Sequence, residues 1–418
     1  MGIGVKAKAM PASKDDRTSR RALHFVLLIG VLSLFADFTY EGSRSFLGPY
    51  LASLQVSAAV VGVVMGLGEL LGYGLRLVSG RLADSTGRFW TITIVGYAVQ
   101  MAAVPALALT HSWPAAAVLI VLERIGKAIR NPPRDVMLSH AGQRIGGYGW
   151  AFGIHEALDQ LGAVFGPLLM AAVLARRGNY HLAFAVLLIP ALITLLFVGA
   201  ARWQFPRPQD LEITAAAPDN TNARLPKVFW VYLGGAALVA AGFADYGLIG
   251  FHFAHGSAVS THWIPLFYAV AMAISGGSSL LFGRLFDRYG FKVLIGLTVV
   301  AALFAPLVFL GDFGVALVGM ILWGMGMGVH ESIIPAAVTP MVPAERRASA
   351  FGLFTAGYGV FWFLGSAAIG FLYDHSIAWA IVFCVVTQLA AIPFFIWVAA
   401  HQPAHRAPND QPAKENAS

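Results

Sequence analysis

Long apolar runs separated by short polar breaks occupy nearly the whole chain. A helix rises about 1.5 Å per residue, so roughly 20 apolar residues span the hydrocarbon of a bilayer. Twelve stretches satisfy that length: 22–51, 57–80, 89–109, 113–135, 147–175, 180–201, 228–254, 260–283, 290–311, 314–338, 348–373 and 376–400. The pattern predicts an all-α membrane protein with twelve transmembrane helices. The break at 202–227, rich in Pro, Asp, Asn and Thr, reads as a linker between two six-helix bundles, 22–201 and 228–400. Residues 1–21 are polar and basic, and the tail 401–418 is polar; both are expected outside the bilayer. The first apolar run is too long for a signal-peptide core and no clear cleavage site follows, so it is read as a retained span.

Composition sharpens this picture. The chain is 58% hydrophobic and 12% charged, against roughly 25% charged in soluble domains. The net charge of +7 therefore reports topology rather than nucleic-acid affinity, since no nucleic-acid module accompanies it. Lys6, Lys8, Arg20 and Arg21 precede the first span. Arg81, Arg88, Arg144, Arg202, Arg284, Arg288 and Lys292 fall in loops on that same side. The bias predicts both termini in the cytoplasm, in a plasma (inner) membrane. The single Cys384 sits in an apolar stretch and reads as a packing residue. A Walker-type phosphate loop is absent, so direct ATP drive is not expected, and neither cofactor nor metal is called for.

A phrase is repeated. Gly80-Arg-Leu-Ala-Asp84-Ser-Thr-Gly87-Arg88 closes the second run, and Gly283-Arg-Leu-Phe-Asp287-Arg288-Tyr-Gly290-Phe-Lys292 closes the eighth. Gly149-Trp-Ala151-Phe152-Gly153 similarly resembles Ser349-Ala350-Phe351-Gly352. Two parallel repeats are implied, an arrangement that places a substrate site at their interface. On these residues the chain, over about 22–400, resembles the major facilitator superfamily, whose motif A reads Gly-x-x-x-Asp-Arg-x-Gly-Arg-Arg/Lys. Ser85 and Phe89 depart from it. The resemblance implies a secondary transporter of two pseudo-symmetric halves. It also implies a conformational latch made by Gly80, Asp84, Gly87, Arg88, Gly283, Asp287, Arg288 and Gly290. In that latch the glycines allow close helix approach and the acid faces a helix N-terminus. Gly162-Ala-Val-Phe-Gly166-Pro167 resembles part of motif C of proton-coupled efflux members, with Met170-Ala171 in place of the final glycine pair. Gly-x-x-x-Gly also serves plain helix packing.

Charges at bilayer depth are costly and face water or one another. Asp37, Glu41 and Arg44 share one helical face by their spacing, as do Glu123, Lys127, Arg130 and Arg134. Glu69 and Arg76 lie on one side of the second span; His155, Glu156 and Asp159 fall within one turn of the fifth. Counting from helix ends sets Asp37 near Arg124, and Asp159 and Glu156 near Lys127 and Arg130. Asp37, Glu41, Glu156 and Asp159 are the proton-coupling candidates, with Arg124, Lys127 and Arg130 as cavity cations. A carboxylate in a low-dielectric cavity holds its proton more tightly, and a nearby cation weakens that hold. Tyr40, His155, Asp245, Trp323, His330 and Glu331 are the substrate-cavity candidates. Pro132-Pro133 is expected to end or bend the fourth helix. The favoured function is proton-coupled export of a small solute by a protein working as a monomer. Transport of a divalent metal or an organic anion is the alternative. A metalloenzyme built on His155-Glu156-Ala-Leu-Asp159, close to His-Glu-x-x-His, is the remote one.

Overall fold

The computed structural model describes residues 14–145, 148–211, 225–256, 258–334, 337–338, 341–342 and 347–401. The basic stretch before Lys14, most of the linker, the tail past His401 and the side chain of Asp287 lie outside the described residues. Among the described residues regular structure is helical: α1 (Lys14–Ser53), α2 (Ala58–Thr86), α3 (Phe89–Ala106) and α4 (Trp113–Gly142), then α5 (Tyr148–Arg177) and α6 (Tyr180–Gln204, jogged at Leu187). The second half follows with α7 (Lys227–His255, in two pieces), α8 (Ile264–Tyr289), α9 (Phe291–Leu310) and α10 (Phe313–Gly328, continued by one π turn, Val329–Ile333). α11 (Arg347–His375) and α12 (Ile377–His401) complete it. Eleven of these twelve are both long and apolar enough to cross a bilayer. The twelfth is α4. Its 30 residues reach about 45 Å, but its face carries the charges that make the site.

α4 continues through Pro132 and Pro133 to Gly142, so the prolines do not end it. Pro132 has no N–H, so the carbonyl of Ala128, four residues earlier, loses its helical partner. The Ser79 hydroxyl of α2 donates to that carbonyl at 3.0 Å. A side chain on a neighbouring helix thus supplies the bond that proline removes.

The halves are α1–α6 and α7–α12. They meet where α2 lies along α11, α5 against α8, and α1 against the second piece of α7. At the end away from the Gly-Arg-Leu turns this contact is backbone on backbone. A Cβ on Gly48 would lie 2.1 Å from the Gly247 carbonyl, one on Gly62 2.3 Å from that of Ser366, and one on Gly370 2.4 Å from that of Ala58. One apolar core there draws on both halves. At the motif end of the first half a separate core holds, among the described residues, residues of α1 and α3–α6 and of the segment after α6, and a Cβ on Gly153, Gly277 or Gly283 would meet nothing within 4 Å. The halves are therefore joined backbone to backbone at one end, while toward the motif end α5 and α8 leave room and Leu77 of α2 still packs on Gly352 of α11.

Candidate functional site

A cavity of about 90 Å³ lies between the halves. α1 contributes Tyr40, Glu41 and Arg44. α2 contributes Glu69, Tyr73 and Arg76, which share a face at helical spacing. α4 contributes Arg124 and Lys127. The second half brings His330 and Glu331 from α10 and Trp362 from α11. The π turn of α10 widens the helix at His330 and Glu331, and such turns often occur where side chains are re-aimed for function. His330 bonds to the Tyr358 hydroxyl and packs 4.3 Å from the Phe243 ring. Glu331 is exposed to the cavity.

Behind the cavity runs a buried network. Arg44 pairs with Asp245 of α7 at 3.1 Å and with Glu69 at 3.5 Å. Asp245 sits where α7 breaks between Ala241 and Tyr246, and its other oxygen accepts the Gly247 N–H at 2.9 Å, capping the second piece. Arg124 pairs with Glu69 at 3.0 Å and Glu123 at 3.6 Å and donates to the Tyr40 hydroxyl. Asp37 accepts from Arg130 at 3.3 Å and lies 3.8 Å from Lys127. The Arg130 side chain is wholly buried; Gln100 at 2.6 Å and Tyr97 at 3.1 Å hold its remaining donors. Lys127 is the loosest member, 20% exposed and poised 3.7 Å over the Tyr40 ring. Glu41 crosses to the second half, accepting from the Tyr268 hydroxyl at 2.5 Å.

Several expected positions shift. Asp37 meets Arg130 and Lys127, not Arg124, which lies nearly two turns away along α4. Trp323 does not line the cavity: it is fully buried and donates to the Ala244 carbonyl at 2.9 Å, bracing the break in α7. His155 is also buried outside it, with Nε2 2.7 Å from the Ser33 hydroxyl. Asp245 belongs to the Arg44 clamp behind the wall. Glu156 is exposed and accepts from Gln160, while one carboxylate oxygen of Asp159 is buried without a partner. The donor atoms of His155, Glu156 and Asp159 do lie within 4.8 Å of one another. Arg134, however, donates at 3.2 Å to the same Ser33 hydroxyl that meets His155, and a cation so near opposes a metal ion. Arg44, Glu69, Arg76, Gln100 and Tyr268 enter the site beyond the candidate set. The first three are charged at membrane depth, a signal present in the sequence. Gln100 is neutral and no sequence signal marks it; Tyr268 is one of several span aromatics whose sequence reading is a pocket lining or plain helix packing.

The motif residues explain themselves in part. Gly87 caps α2 at φ +64°, and Gly290 follows α8 at φ +61°, a region where a side chain is strained. The close approach expected at Gly80 and Gly283 is not made in this conformation. A Cβ on Gly80 would touch only Pro132 at 3.5 Å, and one on Gly283 nothing. Asp84 and Arg88 are exposed, and Arg288 lies over the Tyr289 ring. Gly162 and Gly166 instead press α5 onto α1: a Cβ on either would lie 2.2 Å from the Leu34 carbonyl or 2.3 Å from that of Phe38.

A helical, multi-pass integral membrane protein with a polar cavity shared by two six-helix halves has the architecture of a secondary transporter. The sequence profile of the Major Facilitator Superfamily matches residues 26–339 and 270–417, and the chain belongs to that family. An uncharacterized protein of Mycobacterium tuberculosis is 40% identical over 381 residues, covering 90% of this chain and 93% of its own length. An uncharacterized MFS-type transporter of Bacillus subtilis, YybF, is 25% identical, covering 89% of each. Among solved structures, the nucleoside transporter NupG superposes with a TM-score of 0.68 at 16% identity, over 90% of this chain and 98% of that one. The peptide transporter POT in complex with sulfate gives 0.71 at 15% identity, over 90% and 94%. At such identity these two share the fold alone. The family and these neighbours are transporters, not enzymes.

Proposed function

We propose that the chain exports a small solute by alternating access, driven by inward proton movement. The carrying observation is the grouping of Asp37 with one fixed and one movable cation: Arg130 at 3.3 Å, wholly buried, and Lys127 at 3.8 Å, partly exposed. A proton taken up by Asp37 removes the charge that holds Lys127, which is then free to turn toward the cavity or the substrate. Loss of the proton draws the lysine back. Asp159, one α5 turn from His155 and with an unpartnered oxygen, is the second proton candidate; Glu41 and Glu156 are more peripheral to this pairing.

The same reading sets the Gly-Arg-Leu turns in the cytoplasm, together with both termini, by the positive-inside bias. The motif end, where α5 and α8 leave Gly153 and Gly277 free of contact, then faces inward. Asp84, exposed here, would engage a helix N-terminus when that end closes, with Gly80, Gly87, Arg88 and the second-half copy completing the latch. The residue bundles 22–201 and 228–400 are taken as the moving bodies of a monomer in the plasma (inner) membrane. Export is supported by the Gly162, Gly166 and Pro167 likeness to motif C.

The test is flux in proteoliposomes with an imposed pH gradient and a solute panel. Uptake into vesicles made acidic inside, with solute and protons moving in opposite directions, supports the reading. Transport that ignores the gradient overturns coupling, and solute that moves in the same direction as the protons overturns export.

A further inference from the structure

Most charges around the cavity are matched within the protein, and a few are not. Among the described residues Arg76 makes no ion pair. Its guanidinium stands 5.2 Å over the Tyr73 ring, and its Nε is buried without an acceptor. Trp362, 2% exposed, also leaves its indole N–H buried and unpartnered, and so does the Nε of Arg44. All three residues line the cavity. Buried donors without acceptors are unfavourable; these three belong to residues that line one cavity, and a ligand oxygen can answer them as the side chains turn toward it. Glu331, carried by the π turn of α10, is exposed to the cavity and, among the described residues, has one hydrogen bond, from the Ser275 hydroxyl at 3.5 Å. Glu41 has a tyrosine partner and, among the described residues, no ion pair.

The lining thus holds an unsatisfied cation on the first half, Arg76, and on the second half an unsatisfied carboxylate, Glu331, together with the Trp362 donor. A simple anion would meet Glu41, Glu69 and Glu331. A simple cation, a metal ion included, would meet Arg44, Arg76, Arg124 and Lys127. Only a solute carrying both charges answers both. We infer that the cavity takes a small amphoteric solute, its oxyanion held by Arg76 with the Trp362 N–H and its protonated amine held by Glu331. This rests on reading the cavity as the transport site, and it does not depend on proton coupling. Bound so, the solute bridges α2 and α11 to α10, with Tyr73 and Trp362 offering ring faces to the amine or to an apolar side chain.

The purified full-length protein in detergent provides the test, because a bound ligand raises the unfolding temperature. Three matched panels are applied at millimolar concentration: free amino acids and dipeptides, their N-acetyl derivatives, which keep only the anion, and their methyl esters, which keep only the cation. Stabilisation by members of the first panel alone is expected. Equal stabilisation by either blocked panel, or none from the first, overturns the inference. Arg76→Gln and Glu331→Gln should each weaken the best binder about tenfold or more. Arg76→Lys should weaken it less, and Trp362→Phe, which keeps the ring and removes the N–H, should weaken it several-fold. Unchanged affinity in a folded Arg76→Gln or Arg76→Lys protein also overturns it. Intact binding with loss of pH-driven uptake strikes only the proton-coupling reading.

Discussion

Arg44 and Asp245 clamp the two halves at their centre, Nη2 to Oδ2 at 3.1 Å, with both side chains more than 90% buried. Asp245 does two jobs there: one oxygen meets Arg44 and the other caps the second piece of α7. Removing one member of a buried pair strands the other charge, which costs about 3–5 kcal/mol, whereas removing both is far milder. Arg44→Leu is therefore expected to lower the unfolding temperature sharply, and Arg44→Leu with Asp245→Asn to recover part of the loss. Additive losses in the double variant would show that the two side chains contribute independently.

Asp37 governs a different property. Asparagine at this position keeps the shape and a hydrogen-bonding oxygen for Arg130 but cannot exchange a proton. The Asp37→Asn protein should insert and fold, and should still exchange substrate across equal concentrations. Its rate should not respond to pH. The sign follows from the pairing. Wild-type release of Lys127 needs the protonated acid, so acidifying the side from which protons enter should accelerate the wild type alone. A pH-gradient response surviving in Asp37→Asn would falsify its role, and Asp159→Asn would become the next variant to measure.

The fold is legible in the sequence almost entirely, and the site only in outline. Apolar run length marks a span whatever its neighbours do, so the twelve spans can be read. Depth cannot. Counting from the ends of apolar runs matches Asp37 with Arg124, but the packing of α1 on α4 sets their relative height, and it brings Asp37 to Arg130. Side chains six residues apart on α4 differ by about 9 Å in height, which is the whole error between Arg124 and Arg130. Neutral partners such as Gln100, Tyr97 and Ser79 are invisible for another reason: their role is to satisfy a charge or a carbonyl on another helix, and only the packing says which.

Two glycine pairs that look alike in sequence should behave oppositely. Gly166 lets α5 touch the backbone of α1, and a Cβ there would sit 2.3 Å from the Phe38 carbonyl. Gly166→Ala must force the helices apart and should cost about 1–3 kcal/mol. Gly80 has room for a methyl group against Pro132 at 3.5 Å, so Gly80→Ala should leave the unfolding temperature of the purified protein unchanged or slightly raised. If the latch reading is right, it should still slow transport, because the conformation that closes the motif end needs the closer approach. A destabilised Gly80→Ala protein would place the tight contact in the conformation described here instead.

Asp374 at the end of α11 receives the backbone N–H groups of Ala58 and Ala59 at 2.8 Å each, one on either oxygen. These are among the first amides of α2, free of helical partners and at the positive end of its dipole. The contact joins opposite halves at the sealed end, where Gly62 and Gly370 already bring α2 and α11 backbone to backbone. Opening that end must break both bonds. Asp374→Asn keeps an acceptor for one amide and loses the charge, so the sealed state should weaken relative to the opened one, by about fivefold in population. A cysteine at Met65, buried against Gly247 beneath this seal, is a suitable reporter, since the single native Cys384 is itself buried. Labelling of Met65→Cys by a membrane-impermeant maleimide should accelerate about fivefold when Asp374→Asn is added. Unchanged labelling would mean that the glycine contacts alone hold this end shut and that the aspartate merely finishes a helix.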